Sequence, residues 1–325
     1  MHRNRRTIIL AMILASLLQL SFIARAQTAD GFPSRPVIMI AGVAAGGPID
    51  VEARLLARKL TETLGQNVLV DFKPGDGGSI AANYVAKAKP DGYTLFVTGA
   101  TFTILAAFRQ QTYDIEKDFS PVSITSQKTS LFVMSPSFPA RNVKEYMAFA
   151  KANPGKINFG WVGPGVVAGA WLHNLSGTTV TFVPYKGIAP IMTDLMAGRV
   201  DISAAALPVA MPLIKSGKVR ALGVTSDKRS PLLPDVPTIM EQGFPDFSYQ
   251  NWQGYFAPAN TPPAVVRKLS QSLAVAAKSP DIVAALAADG STPWGSTPEE
   301  FKQLVAAELI RWQRIAKETG FKLEN

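Results

Sequence analysis

Cysteine is absent from the 325 residues, which excludes disulfides, thiolate nucleophiles and cysteine-based zinc sites. Histidine is nearly absent. His2 lies at the start of the chain, and His173 sits in the helix-like "GAWLHNLSG" with no carboxylate near it in sequence, so a satisfied or surface imidazole explains it better than a general base. Neither a G-x-S-x-G elbow nor an S-x-x-K pair occurs. Basic residues form no tract interleaved with aromatics; Arg54, Arg58 and Lys59, like Arg311, Arg314 and Lys317, are scattered along helix-like faces, which argues against nucleic acid as a partner. No segment after residue 26 is long and apolar enough to span a bilayer. These absences leave no catalytic residue, no metal ligand set and no cofactor to expect.

What the chain does have begins with "MHRNRRTIILAMILASLLQLSFIARAQ": a basic start at His2, Arg3, Arg5 and Arg6, an apolar stretch from Thr7 to Ile23, and the A-x-A pattern Ala24-Arg25-Ala26. This is the form of a secretory signal peptide over 1–26, cleaved after Ala26 so that the mature chain starts at Gln27. The four arginines that leave with it reduce the formal charge from +9 to +5. An exported, cysteine-free chain needs a true hydrophobic core, and a 47% apolar composition supplies one.

From Pro36 onward strand-like and helix-like segments alternate. "VIMIA" (37–41) precedes a helix over about 49–64 with Val51, Leu55, Leu56, Leu60 and Leu64 on one face and Gly65 as its stop. "NVLVDF", "SIAANYVAKA" and, after Pro90-Asp91-Gly92, "YTLFVT" complete a β-α-β-α-β unit, which implies parallel, doubly wound pairing. A second series starts near residue 127 with "SLFVMS" and a helix capped by Asn142, continues through "KINFGW", a helix at 167–176, "TVTFVPY", "APIMTDLMAG", "VDISAA" and "PVAMPLIKSG", and ends at "VRALGVTS". A proline-rich passage, the strand "WQGYFAP" and a helical tail over about 262–319 follow. The expectation is an α/β protein of two lobes: 27–125 as the first part of lobe 1, 126–226 as lobe 2, and 227–325 as the return to lobe 1 with the C-terminal helices.

Two glycine-rich loops leave strands and open helices. In "AGVAAGGPID" (41–50), Gly42 and Gly47 fit the G-x-x-x-x-G frame of a P-loop, but its lysine and hydroxyl positions are Pro48 and Ile49, so nothing grips a triphosphate or magnesium. In "PGDGGSIA" (74–81), Gly75 and Gly77 start a G-x-G-x-x-G frame whose third glycine position is Ile80. Both lie at strand carboxyl ends, where exposed N–H groups and helix dipoles favour an anion. Asp50 is suited to stabilising its helix start. Trp161 and Trp252, at strand ends, are core residues or pocket walls.

"FPSRPVIMI", the long stretch from "GGPIDVEARLLARKL" to "KPDGYTLFV", "VPYKG" (183–187), "GKVRALGVTSDKRSPLLPDVPTIMEQGFPDF", "APANTPP" and the ending "GSTPEEFKQLVAAELIRWQRIAKETGFKLE" together resemble the solute receptors of tripartite tricarboxylate transporters, the Bug proteins. The resemblance covers nearly the whole mature chain. It implies a two-lobed type II periplasmic binding fold, a monomer, closing on an organic carboxylate that it passes to membrane transporter subunits. The site it implies comprises Val43, Ala44, Gly46, Gly47, Pro48, Ile49 and Asp50 in the first loop, Gly77, Gly78 and Ser79 in the second, and Gly99, Ala100 and Thr101 after the third strand. Lobe 2 would add Trp161, Gly163, Gly165, Val166, Tyr185, Lys186 and Ala206.

The sequence departs from the family pattern where ligand is read. The usual P-F-P-P-G-G-x-[TS]-D is here "GVAAGGPID", the usual G-x-x-G-x-G-[TS] loop is "GWVGPGVVAG", and the Asp common near 205 is replaced in "SAAALP". A ligand less polar than citrate or malate, an aromatic or longer aliphatic carboxylate, is therefore expected, with hinges near 120–127 and 225–250. Delivery to a sensor kinase rather than a permease, and an exported hydrolase, are the alternative readings.

Overall fold

The computed structural model describes residues 31–162, 165–288 and 290–319; the expected signal peptide, Gly163 and the last residues lie outside the described residues. Strands β1 (Val37–Ala41), β2 (Val68–Phe72) and β3 (Thr94–Gly99) are parallel, with β1 in the middle. Helix α1 (Pro48–Leu64) joins β1 to β2; α2 (Ser79–Ala86), entered through a 3-10 turn at Asp76–Gly78, joins β2 to β3. α1 forms for local reasons. Pro48 in its first turn needs no N–H partner, and Ala53, Leu56, Ala57 and Leu60, at helical spacing, are buried. Gly65 ends it in the left-handed region at φ 69°, donating its N–H to the Thr61 carbonyl. Of the expected face Leu56 and Leu60 are buried and Leu55 and Leu64 half-buried, but Val51 is 54% exposed while Glu52 beside it is 3% exposed.

Sequence periodicity assigns no element between residues 99 and 127. The structure places α3 (Thr101–Phe108), α4 (Ile115–Asp118) and the ten-residue strand β4 (Phe119–Lys128) there. β4 escapes a hydrophobicity reading because Ser123, Thr125 and Ser126 are as buried as Val122 and Ile124. It pairs antiparallel with β10 (Asn251–Pro258), which pairs antiparallel with β3, and the short β11 (Ser291–Pro293) edges β4. The six-stranded order is β11-β4-β10-β3-β1-β2: the first three strands have the parallel pairing expected of their β-α-β-α-β unit, and the three later strands join antiparallel.

The second sheet holds β5 (Ser130–Met134), β6 (Asn158–Trp161), β7 (Thr181–Pro184), β8 (Ile202–Ala206) and β9 (Arg220–Val224), in the order β7-β6-β8-β5-β9. β6 is parallel to β7 and β8, and β5 is antiparallel to β8 and β9. Between the strands run α5 (Val143–Ala152), α6 (Gly165–Ser176), α7 (Ile188–Met196) and α8 (Leu207–Lys215). Asn142 caps α5 as expected, its side chain accepting the Glu145 N–H. The expected helical tail is divided by Pro280 and by the turn at Gly290 into α9 (Pro263–Ala277), α10 (Pro280–Ala288), β11 and α11 (Pro298–Thr319). No helix among the described residues is long and apolar enough to cross a membrane.

The chain passes from the first sheet to the second at Thr129, between β4 and β5. Its return lies alongside: the Ser130 carbonyl accepts both the N–H and the Oγ1 of Thr225, and the Thr225 carbonyl accepts the Tyr249 N–H. A third link is α11, whose Trp312 meets Trp171 of α6 edge-on at 5.5 Å while Arg311 lies over the same indole at 5.3 Å. Trp171 also stacks on Phe247 at 4.7 Å. Replacing Trp312 with alanine is expected to lower stability by about 3–5 kcal/mol, the range for a buried tryptophan, measured as a shift in the urea unfolding midpoint.

Candidate functional site

The first two glycine loops touch. A Cβ on Gly42 would lie 2.8 Å from the Gly78 Cα, so only glycine permits this approach of the two backbones. The N-terminus of α1 has Gly47 as its cap residue and that of α2 has Gly78, and neither has a side-chain hydrogen bond capping it. First-turn N–H groups of a helix have no intrahelical acceptor, so the amides of Ile49 and Asp50, with that of Gly47, are available to an anion, whereas Pro48 has none to give. The Gly46 amide is not available. It donates to Asp50 Oδ2 at 2.7 Å, and Asp50 Oδ1 accepts Arg54 Nε at 2.5 Å, which makes the Asp50 side chain a brace of the loop. In the second loop the Gly78 and Ser79 amides are likewise occupied, by the carbonyls of Gly75 and Asp76. The buried Ser79 hydroxyl donates to Gln111 and accepts from Arg109. Gly77, at φ 62°, presses against Leu105 of α3. Val43 is half-buried and Ala44 exposed.

The third loop, Gly99 to Thr101, is fixed from β10. A Cβ on Gly99 would sit 2.7 Å from the Trp252 carbonyl, and Ile49 Cδ1 lies 3.9 Å from the same point, so the first and third loops are neighbours. Gln253, opposite Gly99 in the ladder, donates Nε2 to the Ile49 carbonyl at 3.3 Å. Trp252 is a core residue, 3% exposed. A cavity of about 460 Å³ lies at the other end of these strands, lined by Lys117, Arg267 and Lys302 among others, and holds none of the candidate residues.

In the second lobe Trp161 ends β6 half-buried, and its carbonyl accepts the Tyr185 N–H at 2.9 Å. The Tyr185 hydroxyl is committed to Asp194 at 2.6 Å, and this bond with Arg199 holds the Asp194 carboxyl below its usual range. Lys186 and Ala206 are exposed. Gly165 lies 3.8 Å, by its absent Cβ, from the Cβ of Ala204. The Val166 side chain is fully buried in the core, so only its backbone can face a cleft.

Two glycine loops in backbone contact at strand ends, with a second α/β lobe joined by adjacent crossings, are the parts of a receptor for a small anion. A family model described as "Tripartite tricarboxylate transporter family receptor" matches residues 52–321. The chain belongs to this family. The Bug protein BugT of Bordetella pertussis is 34% identical over 312 residues, 93% of this chain and 94% of that one. Among solved structures, Rpa4515 of R. palustris with adipate has 34% identity and a TM-score of 0.73, covering 89% of this chain and 98% of its own. MatC of Rhodopseudomonas palustris with bound malate has 32% identity and a TM-score of 0.71, covering 87% and 99%. The two-lobed periplasmic-binding fold expected from the sequence is the fold of these relatives, and the chain is a solute-binding receptor rather than an enzyme.

Two buried titratable groups have their polar atoms committed to partners outside the candidate set. His173 is not a base in waiting: Nε2 lies 3.1 Å from the Tyr146 hydroxyl and Nδ1 2.7 Å from Thr178 Oγ1, and burial lowers its pKa from 6.5 to about 4. Glu308 of α11 lies under the third loop, where Oε2 accepts the Thr103 hydroxyl at 2.6 Å and both carboxyl oxygens receive the Trp252 indole N–H at 3.2 Å. Burial lifts it from 4.5 to about 7, against the opposing pull of these bonds. Neither its burial nor its partners could be read from sequence, because Thr103 and Glu308 are 205 positions apart.

These groups act on stability in opposite senses. The unfolded imidazole binds a proton near pH 6.5 that folded His173 refuses until about 4, so its contribution is present above 6.5 and is lost as pH falls towards 4. Folded Glu308 keeps up to about pH 7 a proton that the unfolded chain releases near 4.5, so its contribution is lost as pH rises between those values. Glu308→Gln removes only the second. The variant's stability is expected to rise by roughly 2–3 kcal/mol between pH 4.5 and 6.5, where the parent changes little; denaturant titrations at fixed pH measure it, and a flat profile in the variant would rule out the His173 contribution.

Proposed function

We propose that this receptor is exported to the periplasm, loses its signal peptide after Ala26, and as a monomer captures an organic carboxylate between its lobes for delivery to the membrane subunits of a tripartite transporter. The observation that carries this reading is the contact of the two glycine loops at Gly42 and Gly78, which brings the loop that opens α1 against the start of α2. Amides of Gly47, Ile49 and Asp50 would hold the carboxylate, each hydrogen bond to a charged group contributing about 1.5–3 kcal/mol, with Gly77 and the Gly99–Thr101 loop beside them. Gly46, Gly78 and Ser79 shape the loops rather than donate. From the second lobe, Trp161, Gly165, the Val166 backbone, Tyr185, Lys186 and Ala206 would close over the rest of the ligand.

The walls are apolar. Val43, Ala44, Ile49, Trp161 and Ala206 offer contact area and few hydrogen bonds, which favours a carboxylate with an aliphatic chain or ring over one with hydroxyls. Adipate, bound in one relative, has such a chain. Malate, bound in another, carries a hydroxyl that Val43, Ala44, Ile49 and Ala206 give no side chain to meet.

Native mass spectrometry of the protein purified from the periplasm tests both parts: the expected polypeptide begins at Gln27 and carries a small acid. Calorimetric titration is expected to give a dissociation constant at least tenfold lower for adipate or an aromatic acid than for citrate or malate. Tight binding of citrate or malate, with none of the less polar acids, would overturn the ligand class. Ligand at 100 times its dissociation constant should add about 2.7 kcal/mol to stability.

A further inference from the structure

The face that α1 turns inward breaks the usual rule. At neighbouring positions it exposes Val51 and buries Glu52, although a valine is far cheaper to bury than a carboxylate. What Glu52 gains is two hydroxyl donors on β4: Thr125 Oγ1 bonds to Oε1 and Ser126 Oγ to Oε2, both at 2.6 Å. Both bonds are short, and with one hydroxyl on each oxygen the carboxyl group is fixed in orientation as well as position. One turn earlier on the same side of α1, the Ile49 carbonyl is held by Gln253. The start of α1 is therefore tied to β4 and β10 by polar, directional contacts.

β4 is the strand that crosses between lobes. Three residues after Ser126 the chain passes through Thr129, whose carbonyl accepts the Leu207 N–H at 3.3 Å. Leu207 follows Ala206, at the edge of the second lobe's side of the cleft, and Ala206 is itself paired with Ser130. A short polar route thus leads from the helix start that offers its amides to ligand, through Glu52 and β4, to the crossing and the facing strand end.

We propose that Glu52 is a positioning residue for ligand capture: its carboxylate fixes the α1 N-terminus to the crossing strand, so that the amides of the first loop and the pivot between lobes form one rigid unit. This rests on the reading of the α1 N-terminus as the carboxylate site. A structural contact alone would require only that the helix stay packed. A positioning role requires that ligand affinity depend on the tie when stability does not.

Two variants separate these. Glu52→Gln keeps the shape, with one oxygen to accept from one hydroxyl and an amide to donate to the other; E52L/T125V/S126A replaces the whole cluster with apolar side chains, a change that buried polar clusters often tolerate without loss of stability. Adipate affinity is measured by calorimetry, and hydrogen exchange at residues 51–53 and 126–128 is measured in the ligand-free protein. In the parent the two segments are expected to show matched protection. The apolar variant, with an unchanged thermal midpoint, is expected to lose protection selectively at 51–53 and to bind adipate at least tenfold more weakly, while Glu52→Gln stays within threefold. Unchanged protection in the apolar variant overturns the proposal, and so does lost protection with parental affinity, which would leave Glu52 a packing contact. If the apolar variant does not fold, Ser126→Ala, which removes one donor, carries the same comparison. Failure of the parent to bind adipate would count against the reading of the site, and the exchange data would still decide whether Glu52 holds α1 to β4.

Discussion

The first lobe depends on a joint made late in the chain. Its sheet is begun by β1, β2 and β3 and finished by β4, β10 and β11, so the third loop of the site rests on residues 150 or more positions away. At the joint, the Trp252 carbonyl lies against Gly99 while its indole donates to Glu308, which also receives the Thr103 hydroxyl. Charge at Glu308 is disfavoured by burial and favoured by these donors, and burial prevails, lifting its pKa from 4.5 to about 7. The start of α3, which follows β3 directly, is in this way braced by residues from the far end of the chain.

Much of the fold was legible because its elements obey simple periods. Helix α5 announced itself by Asn142, the parallel trio by apolar runs punctuated with glycine and proline, and the second lobe by regular alternation of strand and helix. β4 was not legible, since Ser123, Thr125 and Ser126 look like surface residues until their partners are known. One position on the inward face of α1 was misjudged for the same reason: Val51 and Glu52 exchange the roles that hydrophobicity gives them. A polar side chain buried with a distant partner carries no local signature.

The site was legible in outline and less so in detail. Glycine patterns located the first two loops correctly at strand ends, and the likeness to known receptors named the candidate residues of the second lobe. Composition could not show that the Gly46 amide is consumed by Asp50, or that the Gly78 and Ser79 amides are spent within the 3-10 turn. Those are competitions for a donor, settled by geometry within a few tenths of an ångström. The close approach of Gly42 to Gly78 joins two loops that are separated by a whole helix and strand, and no sequence pattern encodes it.

The packing of α11 on α6 has a mechanical meaning. Two bodies joined at one point can swing in any direction; joined at two, they can turn only about the line between them. The adjacent crossings at Thr129 and Thr225 are one such point, and the Trp171–Trp312 contact is another. Any relative turn of the lobes that keeps both intact is reduced to a single angle, and the travel of each loop is set by its distance from that line. Residues close to that line would hardly move, while those farthest from it would sweep the widest arc.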